Sequence, residues 1–155
     1  FRQKGSYVFH ENEVVGMDSM PYTVECTKSA LGTKLFWSFA LKGEQAMTEF
    51  IENSFQKARD LHSYLSSLKD FYCPYPPESN ILCFQFLPDQ LSDQDQLALR
   101  YELINSGAFY ITSCEFQGKR FLRTVLLNAQ TRQQDFIELV ETIRKIGTSI
   151  FSKEK

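Results

Sequence analysis

Phe121-Leu122-Arg123-Thr124-Val125-Leu126-Leu127 is the stretch on which the fold turns. It is short and bulky, the composition of a strand. Gly118 stands just before it, and another strand-like run, 108–116, stands before the glycine. Together they predict a hairpin over 108–116 and 120–127, with Gly118 in the turn. Upstream, Ile81-Leu82-Cys83-Phe84-Gln85-Phe86-Leu87 reads as a buried strand, set off from what precedes it by Pro74, Pro76 and Pro77.

Helical periods surround these strands. Over 28–42, Leu31, Leu35, Phe36, Phe39 and Leu41 recur at three- and four-residue steps, and Gly43 ends the run. Over 44–69, Met47, Phe50, Ile51, Phe55, Ala58, Leu61 and Leu65 form one stripe, expected to pack into a core. Ser92 with Asp95 marks a helix start; Leu97, Tyr101 and Ile104 are its expected inner face, and Gly107 its stop. Thr131 with Gln134 resembles a second capping box, followed by Phe136, Leu139, Val140, Ile143 and Ile146 on a last helix. The order predicts an α/β fold: a small antiparallel sheet with helices packed on one face.

Composition narrows the function classes. The 155 residues are 43% hydrophobic and 23% charged, a profile that supports one globular core. A net charge of −2 argues against nucleic acid or anionic lipid as the main partner, since both reward a basic surface. An RNA-binding sheet using Phe84, Phe86 or Phe121 fails for the same reason. No apolar run has the length of a membrane span. Cys26, Cys73, Cys83 and Cys114 form no CxxC pair and no metal-ligand spacing with His10 or His62, so they read as reduced thiols of a cytoplasmic protein. Phosphate-binding glycine loops, HExxH and the Gly-x-Ser-x-Gly elbow are missing from the sequence.

Arg123 breaks a local rule. Alternation places it on the same face as Phe121, Val125 and Leu127. A guanidinium among apolar side chains needs an anionic partner, because burying it unpaired costs several kcal/mol. That partner is either a substrate carboxylate, held by the planar fork, or a local Glu or Asp in a structural ion pair. Tyr7 lies in a polar loop, and acts chemically only if the loop closes over a reactive centre; otherwise it is surface.

Four segments, in order, resemble the group II pyridoxal-phosphate-dependent amino-acid decarboxylases. They are Gly5-Ser6-Tyr7-Val8-Phe9-His10, like the family's catalytic loop; Glu25-Cys26-Thr27-Lys28 leading to Gly32-Thr33-Lys34-Leu35-Phe36 and Gly43; Pro77-Glu78-Ser79-Asn80-Ile81-Leu82-Cys83-Phe84; and Phe121 to Asn128, like its "LR-apolar-Asn" strand. The resemblance implies a fold-type I enzyme, with residues 1–45 ending a large cofactor domain and 46–155 forming the C-terminal small domain. It implies that Tyr7 is the mobile-loop tyrosine that protonates the carbanion left by carbon dioxide, acting across a homodimer interface. Arg123 binds the carboxylate of an amino-acid substrate in this reading, and Thr27 and Cys26 line the neighbouring subunit's pocket. The family's cofactor lysine lies upstream of the matched stretch, so pyridoxal 5′-phosphate is expected to be held mainly by an N-terminal part of the same enzyme. Two positions depart from the family pattern: the usual tryptophan is displaced from Phe36 to Trp37, and Ala129 stands where proline is frequent.

A chain that begins at Phe1 and carries these segments is expected to be a C-terminal fragment, such as a nick in the exposed loop just before Tyr7 would leave, and inactive without the lysine-bearing part. The alternative is a non-catalytic α/β module that binds a small ligand or a regulatory partner.

Overall fold

The structure is a computed structural model that describes residues 30–87 and 89–151. Along the chain run α1 (Leu31–Ser66), β1 (Phe71–Tyr72), β2 (Ile81–Phe86), α2 (Asp93–Asn105), β3 (Thr112–Phe116), β4 (Lys119–Val125) and α3 (Gln133–Phe151). Gly43 interrupts α1 with φ 77° and ψ 169°, where the sequence predicts the break. The chain divides into two compact units, Phe1–Ile51 and Glu52–Lys155.

In the second unit, four antiparallel strands make one sheet in the order β1-β2-β4-β3. The hairpin expected around Gly118 is β3–β4. Its two-residue turn, Gln117 and Gly118, has φ of 51° and 73°, the paired positive angles that match strand twist. Strand β1 was not legible, being two residues long.

One sheet face is closed by the helices. Leu82, Phe84, Phe86, Leu122 and Leu126 meet Ala58, Leu61 and Leu65 of α1, Leu99 and Leu103 of α2, and Phe136, Leu139, Val140 and Ile143 of α3. Full burial of such a side chain is worth about 1.5–3 kcal/mol. Gly147 brings α3 close to β2: a Cβ there would overlap the Phe86 ring. Arg144, one turn earlier, clamps Asp70 with two hydrogen bonds of 2.6 and 2.8 Å.

Three expectations need correction. The inner face of α2 is Gln96, Leu99, Arg100 and Leu103, not Leu97, Tyr101 and Ile104. Two polar side chains turn inward because peptide groups at strand ends need them: Gln96 bonds both N–H and C=O of Phe86, and Arg100 Nε donates to the Ile111 carbonyl at 3.2 Å. The expected Thr131–Gln134 box is replaced by Asp135, which accepts the Arg132 N–H at 2.7 Å. The Ser92–Asp95 box forms as predicted.

The third concerns the stripe expected to pack over 44–69. Ala58, Leu61 and Leu65 are core, but Phe50 and Ile51 are exposed, as are Leu31, Leu35, Phe36, Phe39 and Leu41 of the preceding run, Leu41 by 77%. Periodicity identifies an apolar face; it does not guarantee that the same chain supplies the cover.

Candidate functional site

Arg123 sits on the other face of the sheet, turned away from the helices. Its neighbours in register are Cys83 on β2 and Thr112 on β3. Leu122 and Thr124 of β4 beside it, and Leu126 just past the strand, are buried and alternate onto the helix side. Val125 and Leu127 share the face of Arg123 and are 40% and 57% exposed. The apolar run therefore hides two environments, and Arg123 occupies the half-buried one. Thr112 Oγ1 donates to the Arg123 carbonyl at 3.1 Å, fixing the strand backbone at that point.

The wall beyond Arg123 is aromatic. Tyr75 meets Phe116 edge-on at 5.2 Å between centroids and lies 6.1 Å from Phe121. Its hydroxyl donates to Gln117 Oε1 at 3.3 Å, so the loop after β1 is tied to the hairpin turn.

Between arginine and aromatics lie two thiols. Cys83 Sγ and Cys114 Sγ are 3.6 Å apart. The hydrogen bond they share lowers the Cys114 thiol, and the Arg123 and Arg120 charges lower it further against desolvation. Cys83 moves the other way, raised first by that bond and then by burial. Cys73 is pushed up to about 12 by burial alone. Gln85 continues this face; its Nε2 donates to the Arg120 carbonyl at 2.8 Å, while its buried Oε1 has no hydrogen-bond partner among the described residues.

The face thus combines a planar cation, a thiol pair and an aromatic wall. It can hold an anionic, planar group such as a carboxylate. A separate cleft of about 500 Å³ opens on the helix side, lined in part by Leu61, Tyr110, Thr124, Asn128 and Asp135. Lys57 donates to the carbonyls of Asn128 and Ala129 at 2.9 and 2.7 Å, tying α1 to the segment after β4.

Of the residues singled out in the sequence, Arg123 is placed; Tyr7, Cys26 and Thr27 lie outside the described residues. Sequence reasoning missed Cys83 and Cys114 as a pair. They are 31 positions apart, and they meet only because β4 lies between their strands. No spacing rule carries that signal.

The chain is similar to known amino-acid decarboxylases. It is 20% identical over 132 residues to the aromatic-L-amino-acid decarboxylase of Bacillus atrophaeus, covering 82% of this chain and 28% of that protein. To the acidic amino acid decarboxylase GADL1 of Mus musculus it is 19% identical, covering 95% and 30%. Among solved structures, the glutamate decarboxylase domain of the diaminobutyrate-pyruvate transaminase and L-2,4-diaminobutyrate decarboxylase from Vibrio parahaemolyticus superposes with a TM-score of 0.69 at 19% identity, over 75% of this chain and 25% of that one. The Oryza sativa TDC solved with PLP and tryptamine gives 0.67 at 18%, over 77% and 27%. No family model matches the chain. The fold is therefore that of a decarboxylase domain, and the chain spans less than a third of the length of these two curated relatives.

Proposed function

We propose that this chain is the C-terminal part of a pyridoxal-phosphate-dependent amino-acid decarboxylase, and that Arg123 binds a carboxylate of the substrate. The observation that carries the reading is Arg123 on the open sheet face of a decarboxylase-like fold, with a half-buried guanidinium beside an aromatic wall. A fork of two parallel N–H donors in a partly desolvated setting orients a carboxylate as well as attracting it.

The described residues fit the substrate better than the cofactor. Every described lysine is exposed except Lys57, which already serves two carbonyls. A cofactor lysine needs an enclosed site that lowers its affinity for a proton. Pyridoxal phosphate, which acts as the electron sink of such decarboxylations, therefore belongs in this reading to an upstream part of the enzyme. Residues 1–45 complete that large domain, and 46–155 form the small domain. Tyr7 delivers a proton to the substrate carbon across a homodimer interface, and Thr27 and Cys26 line the partner's pocket. The exposed apolar positions of α1, Leu35, Phe36 and Leu41 among them, suit burial against the rest of the enzyme.

The test takes the polypeptide in its native context. It should show bound-pyridoxal absorbance and release carbon dioxide from one or more amino acids. Arg123→Ala should raise KM about 10- to 100-fold, the worth of a charge-assisted hydrogen bond of about 1.5–3 kcal/mol. Absence of cofactor absorbance and of carbon dioxide release from a full amino-acid panel would refute the reading and return the chain to the binding-module class.

A further inference from the structure

We propose that Cys83 and Cys114 work as one reactive thiol pair, in which Cys114 captures low-molecular-weight disulfides as a reversible mixed disulfide. The two sulfurs are in hydrogen-bond contact at 3.6 Å, and either can be the donor. The sheet makes them unequal. Cys83 lies on β2, an inner strand of the sheet, directly across from Arg123 of β4, whereas Cys114 lies on β3, at the sheet edge. We assign Cys83 S–H as the donor and Cys114 as the thiolate, the direction in which the bond they share shifts the two thiols. Cys114 is in register with Phe121, two residues along β4 from Arg123, and the charges of Arg123 and Arg120 both favour its thiolate. Glu115, 3.5 Å from Arg120, offsets part of that charge, and Cys73 stays protonated nearby.

Contact between the sulfurs does not let them join. Their strands are separated by β4, and each strand step is about 4.7–4.9 Å, so the Cα atoms stand roughly 9 Å or more apart. A disulfide needs its Cα atoms within about 7 Å. Closing the bond would require the backbone of β2 or β3 to shift. Oxidation is thus directed outward. The Cys114 thiolate attacks one sulfur of a small disulfide such as oxidised glutathione. A new S–S bond forms at Cys114, the old one breaks, and the departing thiolate takes a proton from solvent. Cys114 is oxidised and half of the reagent is reduced; excess small thiol reverses the exchange. If Arg123 binds a substrate carboxylate as proposed above, the adduct also screens that site.

The experiment incubates the protein with oxidised glutathione across roughly pH 6–9 and reads intact mass and peptide maps. The expected result is a glutathionyl adduct mapped to Cys114, with a rate that rises through a lower pH than an ordinary thiol near 8.5. Cys83→Ala should move that rise to higher pH, and Cys73→Ala should leave it in place. Loss of two hydrogens through a Cys83–Cys114 disulfide would overturn the proposal. So would a Cys114 rate with an ordinary pH midpoint that ignores Cys83→Ala. Neither readout requires cofactor or decarboxylase activity, so the proposal stands or falls separately from the function assigned above.

Discussion

Gln96 offers the sharpest test of what holds the second unit together. Strands β2 and β4 pair from Ile81↔Val125 to Phe84↔Leu122, and then part. In the gap, side chains replace the ladder. Gln96 Nε2 donates to the Phe86 carbonyl at 2.6 Å and its Oε1 accepts the Phe86 N–H at 3.3 Å, so a side-chain amide stands in for a neighbouring peptide. Asp93 Oδ1 accepts the Arg120 N–H at 2.9 Å on the opposite strand. Gln96 is fully buried. Gln96→Leu keeps most of the volume but strands two buried backbone groups, each at about 1–3 kcal/mol. Allowing for the apolar gain, the loss should be roughly 2–4 kcal/mol. That is a large share of a domain stability of about 5–15 kcal/mol. In urea unfolding followed by circular dichroism, the midpoint should fall by about 1 M or more. Gln96→Glu should be at least as damaging at neutral pH and recover in acid, where a protonated carboxyl again donates to the Phe86 carbonyl. A loss under about 1 kcal/mol for Gln96→Leu would falsify the claim that this amide completes the sheet.

Three further substitutions probe other contacts. Gly147→Ala should destabilise by about 1–3 kcal/mol, because the new methyl displaces the Phe86 ring, even though alanine is the better helix former by about 1 kcal/mol; a more stable variant would show that α3 can slide. Ser113 is fully buried and its hydroxyl has no partner among the described residues, so Ser113→Ala should leave stability unchanged or raise it by up to about 1 kcal/mol; thermal melting decides, and a clear loss refutes it. Asp70→Asn should cost about 1 kcal/mol near neutrality, a figure kept low because the Arg144 side chain is 41% exposed and screened by solvent. The hydrogen bond from Arg144 holds the Asp70 carboxyl below its ordinary value. Its contribution is therefore full above the unfolded value near 3.9 and fades as pH falls through the folded one. Wild type and Asp70→Asn should converge in acid; a gap that persists at pH about 2 would point to packing instead.

Much of the fold was legible from pattern. The hairpin at Gly118, strand β2, the break at Gly43, the cap at Ser92 and the core positions of α3 all follow from local chemistry. The error over α2 has a clear cause. Gln96 and Arg100 face inward because distant peptide groups demand partners, and local hydropathy contains no term for that demand. The run around Arg123 suggested deeper burial than it has, because Phe121 and Leu122 are both covered from opposite sides of the sheet. The thiol pair depended on strand order, which no stretch of sequence states alone.

The strand order also sets a timetable for folding. Strands β3 and β4 meet across two turn residues, so their closure costs little chain entropy. Strand β2 must find β4 across the roughly 30 residues between Phe86 and Lys119, which adds roughly 2.5 kcal/mol of closure entropy by the logarithmic rule. The hairpin is then the expected early template and β2 the expected later arrival, its end held in the folded sheet by Gln96 on Phe86. In transition-state terms, truncating Leu122 at its contacts with Ser113 should slow folding, whereas truncating Leu82 should mainly speed unfolding. Equal effects of both on the folding rate would mean that the sheet assembles in one step.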